Sequence, residues 1–207
     1  MMVDRIITEC INEVIAHDLT LYHGTPYNFV SFQTTNIGSG EGNQSFGYGL
    51  YLTSNKDVAN YYAKILAKDK SYVYTVKITN GNFFEWYEKL DDNFQKEFIN
   101  QMRQNGYDEM PYKRMLSKGM VKNLYMPIEQ AVKYFPNGKF FYENLSLMLG
   151  GDKNASFFLK KLGFTGIKYP IGSFFHGKNK GEYGYNYVIF SGDDIQIVNK
   201  EVLTDRD

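Results

Sequence analysis

The spacing of hydrophobic residues changes twice along the chain and divides it into three parts. Short apolar or alternating runs typical of β-strands occupy the two end parts, whereas the middle part has the spacing of amphipathic helices. The predicted strands span 20–23, 48–53, 72–79, 166–169, 185–190 and 194–198. Strands at both ends with helices between them predict an α+β domain whose central sheet is interrupted by a helical insertion at about 82–162.

Helical spacing also predicts individual helices. An N-terminal amphipathic helix is indicated by six residues: Ile6, Ile7, Cys10, Ile11, Val14 and Ile15. A second predicted helix follows the strand at 48–53, with Ser54 or Asn55 as its N-cap. Gly163 stands where a helix C-cap is expected. The helices predicted in the insertion span 92–104, 127–134, 140–149 and 154–162.

Composition narrows the class of protein. A chain of 207 residues, 43% of them hydrophobic, is long enough to bury a core, and we take 1–207 as a single domain. The formal net charge is zero, so no overall positive field favours nucleic acid. Cys10 is the only cysteine, which excludes an intrachain disulfide and a cysteine-based zinc site. No run approaches the roughly 20 apolar residues of a membrane span, and no secretory signal is recognised. We therefore expect a cytoplasmic protein without a membrane partner.

Two short segments carry the candidate chemistry. In the first, His23 is followed by Gly24 and Thr25. In the second, Tyr51 lies in a predicted strand and Tyr62 in the helix after it. The face of a tyrosine ring attracts a desolvated cation by about 1–2 kcal/mol. A histidine beside a glycine and two aromatic rings from neighbouring elements therefore predict a slot for a flat cationic ring.

Between these segments lies a glycine-rich stretch, 37–49, which is predicted to be a loop. Its Gly38, Gly40 and Gly42 do not have the G-x-G-x-x-G spacing of a dinucleotide-binding turn, and no Gly-Lys-Ser/Thr of a phosphate-binding loop follows them. A Rossmann or P-loop protein is therefore not indicated.

Three blocks of the sequence resemble ADP-ribosyltransferases of the diphtheria-toxin and poly(ADP-ribose)-polymerase type, in particular the transferase domains of phage polyvalent proteins and toxins. The first block is 22–25, Tyr-His-Gly-Thr. The second is 49–53, after which Tyr62 follows Tyr51 by the eleven positions that the family places between its two ring-binding tyrosines. The third is 185–190, which matches the strand of the family's catalytic glutamate. The resemblance implies an ADP-ribosyltransferase fold with split central β-sheets, an N-terminal helix and a helical insertion.

The resemblance also implies roles for the residues in the first two blocks. NAD is the substrate, and no metal is required. Tyr51 and Tyr62 would enclose the nicotinamide ring, with Tyr61 as the substitute if the helix has a different phase. His23 would donate a hydrogen bond to a ribose hydroxyl, and the backbone of Gly24, with Thr25 beside it, would meet the carboxamide.

The third block departs from the family pattern, because Asn186 stands where most active members have glutamate. The familiar histidine, tyrosine and glutamate set becomes His23, Tyr51 and Asn186. An amide cannot supply the negative charge that stabilises a cationic sugar. Glu41 in the glycine-rich loop is the first candidate for this charge and Glu182 the second. Phage-type relatives carry a similar loop with a following glutamine, which adds Gln44 to the expected NAD-binding residues.

The expected function is transfer of a single ADP-ribose from NAD to a macromolecular acceptor, protein or nucleic acid, by a phage or bacterial toxin or effector. An antitoxin or inhibitor is a further expected partner. Two alternatives stay open, a non-catalytic NAD-binding interaction module and an NAD glycohydrolase. A basic cluster in the insertion would suit RNA or an acidic protein but is equally typical of a solvated face; it comprises Arg103, Lys113, Arg114, Lys118 and Lys122.

Overall fold

The structure is a computed structural model that describes residues 18–37, 44–67, 70–115, 121–172 and 183–204. It combines α-helices with a large mixed β-sheet, which confirms the predicted α+β class. The predicted N-terminal helix with Cys10, the centre of the glycine-rich stretch with Glu41, and Glu182 lie outside the described residues.

The strands of the described residues are β1 (Leu19–Thr25), β2 (Leu50–Thr53), β3 (Lys70–Ile78), β4 (Phe83–Glu85), β5 (Glu109–Met115), β6 (Val121–Pro127), β7 (Gly166–Pro170), β8 (Tyr185–Ile189) and β9 (Gln196–Thr204). Seven of them form the main sheet in the order β4-β7-β8-β2-β1-β3-β9. Its neighbours are antiparallel except β4 and β7. All six predicted strands are therefore present, and the last extends to Thr204.

The helices of the described residues are α1 (Lys56–Leu66), α2 (Asp92–Gln104), α3 (Ile128–Tyr134), α4 (Gly138–Leu149) and α5 (Asp152–Lys161). Side chains of Asn55, Asp91 and Asn137 accept hydrogen bonds from the first free N–H groups of α1, α2 and α4. Gly150 ends α4 in the left-handed conformation, with φ of 79°. These helices confirm those predicted from spacing and caps. None of them is long and apolar enough to span a bilayer.

The insertion at 82–162 is not entirely helical, which corrects the prediction. It begins with β4, which joins the main sheet beside β7, and it contains the β5–β6 hairpin as a separate two-stranded sheet. The three residues of β4 are too few to show the alternation of apolar and polar residues that indicates a strand, so the sequence did not predict β4. The hairpin is anchored by Met110, which is fully buried in the core beneath the helices.

The main sheet is interrupted between β1 and β2. One residue pair, Tyr22 with Thr53, joins these strands, whereas β1 pairs with β3 from Leu19 to Thr25. Strand β2 continues to pair with β8 on its other side. The sheet therefore opens beyond Tyr22, which leaves a gap between its two halves. Such a gap is compatible with the split sheets that the resemblance implies.

Two cores lie on opposite faces of the sheet. One contains apolar residues of β1, β2 and β3, such as Leu21, Leu52 and Val76, and the other contains Val188 and Ile167 beneath the helices of the insertion. Burying an aliphatic side chain contributes about 1.5–3 kcal/mol, so both cores stabilise the sheet from either side. Tyr51 and Tyr169 face the second core, whereas the His23 ring packs against Phe29 and Phe32 of the first.

Helix α1 approaches β1 most closely at Gly24. A Cβ atom at this glycine would lie 1.8 Å from the carbonyl oxygen of Ala59 and 2.8 Å from the backbone nitrogen of Ala63. Both alanines are buried. Only glycine permits this contact, because the obstacle is helix backbone that cannot rotate away.

We expect Gly24→Ala to destabilise the protein by about 3 kcal/mol or more, because the new methyl group forces α1 away from β1. Urea unfolding followed by circular dichroism measures the loss. Gly106→Ala is the control: its φ of 80° is unfavourable for alanine but no atom lies within 4 Å, so we expect a loss of only about 1 kcal/mol. Equal losses for the two variants would contradict the close packing.

Candidate functional site

His23 bridges the gap between β1 and β2. Its Nδ1 lies 2.9 Å from the backbone oxygen of Tyr51. A carbonyl oxygen can only accept, so Nδ1 carries the proton and donates. The imidazole packs edge-on against Phe32, with 5.3 Å between ring centroids, and near Phe29 at 6.2 Å. A side chain thus connects the two strands where their backbone pairing has ended.

The protonation of His23 determines what the ring can do. Desolvation by burial lowers the pKa of His23 below its ordinary value of 6.5, and the hydrogen bond to the Tyr51 carbonyl opposes this effect. A neutral ring with its proton on Nδ1 leaves Nε2 as an acceptor. In this state Nε2 can accept a hydrogen bond from a hydroxyl group but cannot donate one.

The Tyr51 side chain is held by the turn that precedes its strand. Its hydroxyl donates to the carbonyl oxygen of Gly47 at 2.9 Å and accepts from the N–H of Phe46 at 3.2 Å. Gly47 has φ of 104°, and a Cβ there would lie within 3 Å of Tyr142 and Ile167. Burial raises the pKa of Tyr51, so the phenol is neutral. The Tyr51 ring is therefore fixed in position, while part of it remains exposed.

Tyr169 lies at the centre of the site. Its ring stacks on Phe46 with 3.7 Å between centroids and 4° between planes, and the residue lies opposite Asn186 of β8. Burial is the main cause that raises the pKa of Tyr169, and the hydroxyls of Tyr51 and Tyr62 raise this pKa further. The N–H of Phe46 donates to the Tyr51 hydroxyl, so the Phe46 ring links Tyr51 of β2 to Tyr169. We call Phe46, Tyr51, Tyr169 and Asn186 the Tyr169 cluster.

The phase of α1 distinguishes Tyr62 from Tyr61. Ala59 and Ala63 face the sheet. Tyr62 lies three residues after Ala59, about 60° from it around the helix, whereas Tyr61 lies about 200° away. The two rings touch edge to face at 5.7 Å, and Tyr61 is the more exposed, 61% against 52%. The structure therefore directs Tyr62 towards the Tyr169 cluster and Tyr61 to solvent.

The backbone of Gly24 faces the gap in the sheet. The N–H of Ser54 donates to the oxygen of Tyr185 in β8, and successive residues of a strand point their polar groups to opposite sides. The polar backbone groups of Thr53 therefore face β1, where Thr53 pairs with Tyr22. Gly24 follows Tyr22 by two residues in β1, so its N–H and C=O also point towards β2. These groups are placed to meet an amide ligand.

Thr25 lies at the end of β1, where the turn to Tyr27 begins. Its side chain is buried, at 5% exposure, and its hydroxyl accepts a hydrogen bond from the N–H of Tyr27. That oxygen therefore stabilises the turn after β1.

Gln44 lies at the start of the turn that holds Tyr51. Its carbonyl oxygen accepts a hydrogen bond from the N–H of Gly47 at 3.2 Å. The carboxylate of Asp152 also contributes to raising the pKa of Tyr51, while accepting a hydrogen bond from Ser146. Glu41 and Glu182, the expected carriers of negative charge, lie outside the described residues.

Asn186 occupies a central position in the main sheet. It lies opposite Thr53 of β2 on one side and Tyr169 of β7 on the other, and it is half-buried. Its amide lies next to Tyr169 across the strand pair but contributes no charge. Within the described ranges, no group of three His, Cys, Asp or Glu side chains is arranged to hold a metal ion.

The sequence analysis missed Tyr169 and Phe46 as site residues. Both belong to segments without a recognisable motif, and their stacking depends on how β7 lies against the turn before β2. The two strands predicted at 166–169 and 185–190 were the available signal, but the sequence did not show that they pair. Without the register of this pairing, Tyr169 could not be placed opposite Asn186.

Comparison with known proteins gives no match: no protein-family model, no curated protein and no solved structure is similar to this chain.

We expect the His23 imidazole to titrate below 6.5 in NMR spectra, because burial disfavours its charged form. The unfolded chain then binds more protons than the folded one between the folded pKa and about 6.5. The free energy of unfolding should fall as pH decreases through this window and level off below it. His23→Gln should remove that part of the pH dependence, and a His23 pKa above 6.5 would contradict the assignment.

Proposed function

We propose that this protein transfers a single ADP-ribose from NAD to a macromolecular acceptor. The observation that carries the proposal is a chain of contacts: Tyr169 lies opposite Asn186 and stacks on Phe46, whose N–H donates to the Tyr51 hydroxyl. The His23 imidazole contacts the backbone oxygen of Tyr51. Strands from both ends of the chain supply these groups, and the helix that follows β2 supplies Tyr62. The resemblance of the same residues to ADP-ribosyltransferases supports the proposal, and so does the interrupted pairing of β1 and β2.

Each group has a part in the proposed binding of NAD. Tyr51 and Tyr62 bind the nicotinamide ring, whose positive charge the tyrosine faces attract. The N–H and C=O of Gly24 bind the carboxamide. Nε2 of His23 accepts a hydrogen bond from a ribose hydroxyl. These contacts orient the dinucleotide so that the bond between nicotinamide and ribose lies towards Asn186.

The proposed reaction breaks this bond. Nicotinamide leaves as a neutral molecule with the bonding electron pair, and positive charge develops on the ribose as in glycoside hydrolysis. A nucleophilic group of the acceptor forms the new bond to the same carbon and loses its proton. Negative potential near the sugar lowers the barrier, and loss of one such pre-organised group typically costs about 10²- to 10³-fold in rate. Asn186 supplies a hydrogen bond, and we assign the charge to Glu41.

The uncharged Asn186 favours a second candidate function, an NAD-binding interaction module without turnover. Its amide lies opposite Tyr169 and can hydrogen-bond a ligand without supplying charge. An NAD glycohydrolase, in which water replaces the acceptor, uses the same site. The setting of a phage or bacterial toxin acting in the cytoplasm, with an antitoxin or inhibitor as partner, rests on the resemblance alone.

We expect pure protein incubated with labelled NAD and a cell lysate to release nicotinamide and to label a macromolecule. Nicotinamide release without label would indicate the glycohydrolase, and NAD binding with neither product the interaction module. Absence of NAD binding altogether would contradict every version of the proposal.

We expect Glu41→Ala to slow nicotinamide release by about 10²- to 10³-fold, since it removes the proposed charge. Adding Asn186→Glu to this variant should restore part of the rate, because a carboxylate then lies beside the same sugar. Glu97→Ala, which changes an exposed glutamate of α2, serves as the control. Full activity of Glu41→Ala would exclude the loop glutamate.

We expect Tyr62→Ala to weaken NAD binding by roughly 5- to 30-fold in calorimetry, the equivalent of one lost cation–π contact of about 1–2 kcal/mol. Tyr61→Ala is a matched control, since the neighbouring ring is similarly exposed but faces solvent. Both variants should keep the wild-type unfolding midpoint. Equal weakening by the two substitutions would contradict the assignment of Tyr62.

A further inference from the structure

The outer face of α5 combines lysines with an exposed aromatic ring. Lys153, Phe157, Lys160 and Lys161 follow one another at helical spacing and form a single stripe. Phe157 is 40% exposed, which is unusual for a phenylalanine on a helix that also supplies buried Ala155 to the core. We call Tyr48 and these four residues the α5 surface.

Tyr48 extends this stripe towards the candidate site. Its ring lies 6.2 Å from that of Phe157 at 80°, and Nζ of Lys153 lies 5.8 Å from both ring centroids. The N–H of Tyr48 donates to the Tyr142 hydroxyl at 3.1 Å, which fixes the backbone here. Because Tyr48 directly follows Gly47, the partner of the Tyr51 hydroxyl, the α5 surface begins next to the proposed NAD site.

A groove of about 660 Å³ continues the α5 surface, lined by Leu149, Asn154, Phe157, Phe158, Lys160 and Lys161. Lys160 lies 3.5 Å from Asp194 in an ion pair. Within the described parts of the chain, no ion pair involves Lys153 or Lys161. The groove therefore presents aromatic surface and positive charge that is not neutralised in the folded chain.

We propose that the α5 surface binds single-stranded nucleic acid. Exposed aromatic faces stack on bases without regard to sequence, and lysines beside them neutralise phosphates. An acidic peptide would use the lysines but would make no use of the exposed Phe157 ring. A formal net charge of zero removes a general attraction to nucleic acid, so binding is confined to this local stripe.

The position of the α5 surface connects nucleic-acid binding with the proposed transfer reaction. A strand bound along the groove runs past Tyr48 to the turn that holds Tyr51. We therefore assign nucleic acid as the acceptor of the ADP-ribose. This assignment rests on the proposed transferase function. Binding of the strand itself does not depend on that function.

The test uses fluorescein-labelled oligouridylate and oligothymidylate of about 12 nucleotides, with binding followed by anisotropy in the absence of NAD. We expect saturable binding that weakens as salt increases. Phe157→Ala should weaken it about tenfold through loss of stacking. Lys153→Gln combined with Lys161→Gln should reduce the slope of log affinity against log salt by about 1.4, or about 0.7 for each phosphate contact.

Matched controls change an exposed phenylalanine and an exposed lysine elsewhere. Phe140→Ala on α4, where the ring is 47% exposed, and Lys96→Gln on α2 should leave binding unchanged. No saturable binding by the wild type, equal loss in the controls, or equal displacement by polyglutamate would overturn the proposal. Nicotinamide release from NAD, measured on the same variants, separates failure of this surface from failure of the transferase assignment.

Discussion

The contact between the backbone of α1 and that of β1 at Gly24 is the constraint on which the site depends. Since a side chain there would overlap the carbonyl group of Ala59, helix and strand can lie this close only over a glycine. The approach places Tyr62 on the flank of α1 nearest to the Tyr169 cluster. The N-terminus of the same helix is tied to β8, because Ser54 exchanges hydrogen bonds with Tyr185. One close contact thus positions residues from β1, α1 and β8 relative to each other.

The site is built from neutral hydrogen-bonding groups. Burial raises the pKa of Tyr51 and Tyr169, and that of Tyr142 to about 12, and it lowers the pKa of His23. Phenol faces and a neutral imidazole can orient a cationic ring, but they provide no countercharge for a cation that develops on a sugar. The Asn186 amide has the same limitation. In the proposed reaction, turnover would therefore need a carboxylate from elsewhere in the chain, whereas binding of NAD would not.

Positive charge is concentrated locally on this protein although the net charge of the chain is zero. Equal numbers of acidic and basic residues give zero net charge, yet the outer face of α5 presents three lysines beside two aromatic rings. Attraction of this kind acts over about a Debye length of 8–10 Å, so a local stripe is sufficient. Its place beside the turn that holds Tyr51 joins the proposed acceptor surface to the proposed NAD site through the single residue Tyr48.

The sequence by itself determined most of the helices and six strands of the main sheet. Periodicity and capping residues are local properties, so the helices at 92–104 and 140–149 and the strands around His23 and Tyr51 could be predicted within a few residues. The tertiary structure alone decided the rest. Strand β4, the Tyr169–Asn186 pair and the protonated nitrogen of His23 depend on register and on contacts between distant segments. Register is set by the packing of whole faces, which no local pattern records.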